Sequence, residues 1–126
     1  MNRVIHFELS VDNPERTTKF YSDVFGWEAS KWEGPIDYWL VSTGPKDGPG
    51  IDGAFMLRSE TDERLKKGAN IIIGVSSIDE SLKKIKSNGG KVLMPKTVVP
   101  GIGYSASFED TEGNLVGLMQ DDPSAK

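Results

Sequence analysis

Residues 4–11 read Val4-Ile5-His6-Phe7-Glu8-Leu9-Ser10-Val11, and the predicted fold is built around this segment. Its strict alternation predicts a β-strand with Ile5, Phe7, Leu9 and Val11 on one face and Val4, His6, Glu8 and Ser10 on the other. The apolar face suits a core covered by a helix. The other face carries the only histidine of the chain, two residues from a carboxylate. The fold and the candidate chemistry therefore start from one strand.

The strand is followed by a pattern typical of a helix and three shorter strands. Asn13 suits the N-cap and Pro14 the first helical position, while Gly26 ends the helix. We expect one stripe of this helix to face the sheet, formed by Phe20, Tyr21, Val24 and Phe25.

The same plan then occurs a second time. A shift that pairs His6 with Asn70 also pairs Val11 with Val75 and Gly26 with Gly90. Residues 77–80 have the spacing of a capping box, with Leu82 and Ile85 on the buried stripe of a second helix. The sequence therefore predicts an α+β fold with two βαβββ modules in one domain, residues 1–126. The first module spans 1–58, a polar linker 59–68 and the second module 69–126.

Composition and charge exclude several classes of protein. The 126 residues carry a net charge of −4, and scattered basic residues give no nucleic-acid footprint. No apolar run approaches the length that spans a membrane, and the early first strand leaves no room for a signal peptide. Cysteine is absent, and a single histidine cannot supply two or three imidazoles to one metal ion. We expect a cytoplasmic protein without nucleic-acid or membrane partners.

His6 and Glu8 are the first candidate site. Side chains at i and i+2 share a strand face, so the carboxylate could orient or charge the imidazole for acid–base chemistry. Alternatively, Glu8 could join His6 in a weak metal site. A third interpretation is structural: Glu8 pairs with a basic side chain or meets solvent, and His6 is an ancestral remnant.

A second candidate feature is a set of aromatic and methionine side chains that could line an apolar cavity with few polar groups, as small-molecule pockets do. Ordinary core packing is the alternative for any one of them. The set is Trp32, Tyr38, Trp39, Phe55, Met56, Met94, Tyr104 and Phe108. The predicted ligand contacts are Trp39, Phe55, Asn70, Met94, Tyr104 and Phe108, beside His6 and Glu8 as the candidate catalytic pair.

Several segments along the chain together resemble the vicinal oxygen chelate superfamily, which includes glyoxalase I, bleomycin-resistance proteins and extradiol dioxygenases. They are His6-Phe7-Glu8, Phe25-Gly26-Trp27, residues 38–41 (Tyr-Trp-Leu-Val), Val99-Pro100-Gly101-Ile102-Gly103 and residues 108–114 (Phe-Glu-Asp-Thr-Glu-Gly-Asn). The chain is most similar to an uncharacterised group related to lactoylglutathione lyase. The resemblance implies two βαβββ modules whose sheets curve into a half-open barrel, commonly in a homodimer.

The resemblance also implies positions for a divalent metal ion. They fall on His6, on Gly53 or Ala54, on Asn70 and on Gly117. Only His6 offers a good donor, because glycine and alanine have none and a lone neutral amide oxygen binds weakly. Our first hypothesis is therefore a small-molecule-binding protein that requires no cofactor and has a degenerate metal site. The second is a glyoxalase-like lyase, isomerase or dioxygenase that uses His6 and Glu8, with His6 helping to hold a metal weakly.

Overall fold

The computed structural model describes residues 1–61 and 68–126, which form two compact units. The first unit comprises His6–Asn70, and the second comprises Met1–Ile5 together with Ile71–Lys126. Strand β1 (Arg3–Val11) and strand β5 (Ala69–Gly74) each contribute residues to both units. The predicted linker at residues 59–68 lies partly outside the described residues.

The first unit contains most of β1 and one helix, followed by three strands. These are α1 (Pro14–Phe25), β2 (Glu28–Lys31), β3 (Tyr38–Ser42) and β4 (Gly53–Leu57). Its strands run in the order β2-β3-β4-β1, with β1 parallel to β4 and the other pairs antiparallel. The chain thus forms the predicted first βαβββ module.

The second unit repeats this topology. After β5 come α2 (Ile78–Ser87), β6 (Lys91–Val99), β7 (Gly103–Glu109) and β8 (Leu115–Asp121). The order is β5-β8-β7-β6, and β5 is again parallel to the last strand of its module. The prediction of an α+β fold with two βαβββ modules is confirmed.

The helix ends follow the local chemistry of the sequence. The Asn13 side chain accepts a hydrogen bond from the Arg16 N–H at 3.0 Å, and Pro14 opens α1. Gly26 closes α1 at φ +75°, in the left-handed region that glycine occupies without strain. Ser77 caps α2 by accepting from the Glu80 N–H at 3.2 Å. Each side-chain cap stabilises its helix by about 1 kcal/mol.

The core of the first unit lies between α1 and the sheet, but α1 meets the sheet along a different stripe from the predicted one. Tyr21 stacks on Trp27 with ring centroids 4.7 Å apart and packs against the core of Val11, Val41 and Phe55. The prediction was wrong for the rest of the stripe: the exposed fractions are 56% for Phe20, 55% for Val24 and 63% for Phe25. The half-buried stripe is instead centred on Pro14, Thr17, Thr18 and Tyr21.

The second unit buries its core against α2 as the periodicity predicts. Val75, Ile78, Ala106 and Leu118 form its centre, and the partly buried side chains around them include Leu82 and Ile85. The placement of Leu82 and Ile85 on the buried stripe of α2 is confirmed.

We predict that Phe55→Ala lowers the free energy of unfolding by about 3–5 kcal/mol, because Phe55 is fully buried and its removal leaves a cavity. The control Phe20→Ala removes the same ring from an exposed position and should cost less than about 1 kcal/mol. Urea denaturation of both variants measures the difference. Equal losses would contradict the placement of α1.

Candidate functional site

Strand register determines which side chains share a face of the first unit. Glu8 lies opposite Ala54 on β4, and Ser10 lies opposite Met56. Met56 in turn lies opposite Tyr38 on β3. Because directly paired residues project to the same side of a sheet, Tyr38 shares the face of His6 and Glu8. The other face packs towards α1.

Tyr38 joins His6 to Glu8. Nε2 of His6 is 2.7 Å from the Tyr38 hydroxyl, and that hydroxyl donates to Oε2 of Glu8 at 3.1 Å. The His6 and Tyr38 rings are nearly parallel, at 10°, with centroids 6.3 Å apart. The ring of Trp32 meets Tyr38 edge-on, with centroids 5.9 Å apart. We call this arrangement the His6–Tyr38–Glu8 chain.

The surroundings keep the imidazole and the phenol of this chain uncharged. Burial lowers the pKa of His6 below its ordinary value of 6.5, and the negative charge of Asp52 opposes that shift. Burial raises the pKa of Tyr38 well above its usual range, and the charge of Glu8 and the hydrogen bond to Glu8 add to this effect. At neutral pH the chain therefore holds a neutral imidazole against a neutral phenol.

The predicted ligand contacts fall in several places. Phe55 is fully buried, and Trp39 packs against the same core under α1, on the face away from His6 and Glu8. Asn70 is the half-buried last residue of the first unit. In the second unit, Tyr104 and Phe108 pack against the core beside α2, whereas Met94 lies opposite Ser107. Of the predicted site residues, His6 and Glu8 are linked to each other through the Tyr38 hydroxyl.

Tyr38 belongs to the aromatic set considered for the cavity, but it was not among the predicted ligand contacts or the catalytic pair. Alternation along β3 separates Tyr38 and Leu40 from Trp39 and Val41, and this signal is present in the sequence. It does not say which of the two pairs shares a face with His6. That choice depends on the register of β3 against β4 and of β4 against β1.

The donors at the implied metal positions do not fit a metal ion. Ala54 lies beside Glu8 as Gly117 lies beside Ile72, so these are the equivalent fourth-strand positions of the two modules, and neither side chain has a donor atom. A Cβ at Gly117 would come within 3.0 Å of Cγ1 of Ile72, and one at Gly53 within 2.6 Å of the Phe7 ring. Among residues 1–61 and 68–126, no group of three His, Asp or Glu side chains could hold an ion.

A separate cavity of about 550 Å³ lies in the first unit between α1 and β1. Its lining includes Phe20, Tyr21 and Arg58, and the Arg58 guanidinium donates to Asp12 at 2.6 Å. None of the three members of the His6–Tyr38–Glu8 chain lines it. We place the candidate site at the His6–Tyr38–Glu8 chain, because its three side chains can accept and donate protons.

Comparisons with known proteins agree on one family. The family model described as Glyoxalase/Bleomycin resistance protein/Dioxygenase superfamily matches residues 3–118. A glyoxylase-like domain-containing protein of Didymella fabae is 32% identical over 114 residues, which cover 85% of this chain and 84% of that protein. CFP32 of Mycobacterium tuberculosis, described as a glyoxylase, is 25% identical over 90% of this chain, which spans only 43% of its length.

Solved structures share the fold. Methylmalonyl-CoA epimerase from Mycobacterium tuberculosis matches with a TM-score of 0.74 at 17% identity, covering 95% of this chain and 88% of that chain. A Streptomyces coelicolor methylmalonyl-CoA epimerase in complex with 2-nitronate-propionyl-CoA matches with a TM-score of 0.72, also at 17% identity, covering 100% of this chain and 99% of that chain.

Among the described residues, no helix is long and apolar enough to cross a membrane.

We predict that the His6 imidazole titrates below pH 6.5, because burial disfavours its charged form. Its folded pKa is lower than its unfolded pKa, so its contribution to stability is present above pH 6.5 and is lost as the pH falls through the folded value. NMR titration of the single histidine measures this pKa. Asp52→Asn should lower it further, and a midpoint above 6.5 in the unaltered protein would contradict the prediction.

Proposed function

Because the chain belongs to the Glyoxalase/Bleomycin resistance protein/Dioxygenase superfamily, we propose that it binds a small molecule at the His6–Tyr38–Glu8 chain, without a tightly held metal ion. One observation carries this proposal: three polar side chains from two strands are joined by hydrogen bonds of 2.7 and 3.1 Å on one face of a sheet. These hydrogen bonds fix the positions of the three half-buried side chains, and convergent polar groups held in fixed positions can orient a ligand.

The side chains that surround the His6–Tyr38–Glu8 chain support a ligand-binding role. Leu40 and Met56 share its face, since Leu40 lies opposite Ala54 and Met56 lies opposite Tyr38. Apolar surface with a few convergent polar groups is what a small-molecule site requires. His6, Glu8 and Tyr38 are each half-buried, so they are partly desolvated and still open to a ligand.

A second candidate function is acid–base catalysis of the lyase or isomerase type. The neutral imidazole favours it, because a base with a pKa below neutrality is already unprotonated at pH 7. Binding remains our first proposal. In the family's metal-dependent chemistry a metal ion stabilises the anion that forms, a contribution of several kcal/mol, and the donors here do not fit such an ion.

The resemblance also supports two finer proposals, a homodimer and a cytoplasmic location. A monomeric mass in sedimentation equilibrium would remove the first of them.

We predict that His6→Ala and Glu8→Ala each weaken ligand binding about tenfold, the loss expected when a buried polar contact of about 1.4 kcal/mol is removed. A thermal-shift screen of small metabolites and antibiotics supplies the ligand, and titration calorimetry measures its affinity. Glu28→Ala is the matched control, since it removes an exposed carboxylate from β2 of the same unit. Unchanged affinity in both His6→Ala and Glu8→Ala would show that the His6–Tyr38–Glu8 chain is not part of the binding site.

We also predict that protein purified without chelator holds less than one equivalent of manganese, iron, nickel or zinc, because Ala54 and Gly117 supply no ligands. Elemental analysis measures the metal content, and dialysis against EDTA should leave ligand affinity unchanged. One full equivalent of metal, lost together with ligand binding on dialysis, would overturn the metal-free proposal.

A further inference from the structure

We infer that Tyr38 is a positioning residue: it holds His6 as the tautomer protonated at Nε2, so that Nδ1 accepts a hydrogen bond from an O–H or N–H group of the ligand. The statement about the ligand rests on the proposed function. The statement about the tautomer rests on the geometry of the His6–Tyr38–Glu8 chain alone.

The direction of each hydrogen bond in the His6–Tyr38–Glu8 chain follows from the number of protons that the phenol and the imidazole carry. A phenol has one proton, and Tyr38 donates it to Oε2 of Glu8. In its 2.7 Å contact with His6 the phenol oxygen can then only accept, so the proton between them belongs to Nε2. A neutral imidazole with its proton at Nε2 carries a lone pair at Nδ1.

Nδ1 is open to a ligand. In residues 1–61 and 68–126, the hydrogen bond assigned to His6 is the one that Nε2 makes with Tyr38. Over the same residues, Ser107 Oγ is the side-chain nitrogen or oxygen atom found both buried and without a partner. The Nδ1 lone pair is therefore not enclosed in the protein, and a ligand donor can approach it.

The chain also strengthens Nδ1 as an acceptor. When a ligand donates to Nδ1, positive charge grows on the ring and the Nε2 proton is held more tightly by Tyr38. The bond from Tyr38 to Glu8 then strengthens, because hydrogen bonds in a series polarise one another. A carboxylate behind an imidazole sets its tautomer and raises its basicity in the same way at other sites. Here a phenol transmits the effect.

The ligand class follows from this polarity. A metal ion chelates vicinal oxygens, so a ligand of that kind presents acceptors to a cation. His6 Nδ1 is itself an acceptor, and it selects ligands that present a donor. We therefore assign the site to small molecules with an O–H or N–H group beside an apolar body, of which phenol is the simplest probe.

The tautomer is tested by NMR of the protein labelled with ¹⁵N-histidine and made without a histidine tag. Because the protein has one histidine, a single imidazole is observed. Above its titration range we expect the proton on Nε2 and an unprotonated Nδ1. Tyr38→Phe should mix the tautomers. Glu8→Ala should favour the proton on Nδ1, because the freed Tyr38 hydroxyl can then donate to Nε2.

Tyr21→Phe is the control, since it removes a phenol hydroxyl from α1 of the same unit and should leave the tautomer unchanged. A proton on Nδ1 in the unaltered protein would overturn the inference. So would imidazole spectra of Tyr38→Phe and Glu8→Ala that are identical to the spectrum of the unaltered protein. If a variant fails to fold, the spectrum of the unaltered protein still decides the tautomer.

The ligand class is tested by titrating the labelled protein with phenol and with anisole, which has the same ring but no donor. Phenol should shift the Nδ1 resonance, and in Tyr38→Phe its affinity should fall about threefold to tenfold; anisole should leave Nδ1 unchanged. Equal effects of both probes would overturn the donor class and leave the proposed binding function intact. If NMR shows the expected tautomer but the thermal-shift screen finds no ligand, the binding function is contradicted and the positioning role of Tyr38 stands.

Discussion

The parallel pairing of β1 with β4 is the constraint on which the first unit depends. It sets Leu9 opposite Phe55 and Glu8 opposite Ala54. Because side chains alternate along a strand, a slip of one residue would exchange the two faces of β1. The core under α1 would then lose Leu9 and Val11, and the polar pair would be buried beneath the helix. Hydrophobic packing on one face thereby places the candidate site on the other.

The site differs from the family's metal-binding arrangement in the kind of group it offers. A metal ion is an electrophile that attracts ligand oxygens, whereas we infer that His6, whose Nε2 lies 2.7 Å from the Tyr38 hydroxyl, offers a lone pair at Nδ1. Ala54 and Gly117 lack donors, and a Cβ at Gly117 would come within 3.0 Å of Cγ1 of Ile72. Ala54 is fully buried, and the polar groups of this face are joined by hydrogen bonds in the His6–Tyr38–Glu8 chain.

Helix α1 shows where reasoning from periodicity fails. The apolar residues Phe20, Tyr21, Val24 and Phe25 lie on one side of the helix, so a buried stripe was the natural prediction. In the structure only Tyr21 of this set enters the core, where it stacks on Trp27 and meets Phe55. The rotation of a helix about its axis depends on the shape of the surface it covers. The large rings of Trp27 and Phe55 form part of that surface, and both residues lie outside α1.

Reading the residues alone was enough to predict the elements, their caps, the repeated βαβββ plan and the shared face of His6 and Glu8. These features depend on neighbours within a few residues, or on a repeat that can be read directly. Tertiary contacts were needed to show that Tyr38 joins that pair and that Trp39 and Phe55 pack under α1. The face of β3 follows from its register against β4, a contact between residues far apart in the chain. Alternation within β3 is compatible with either face.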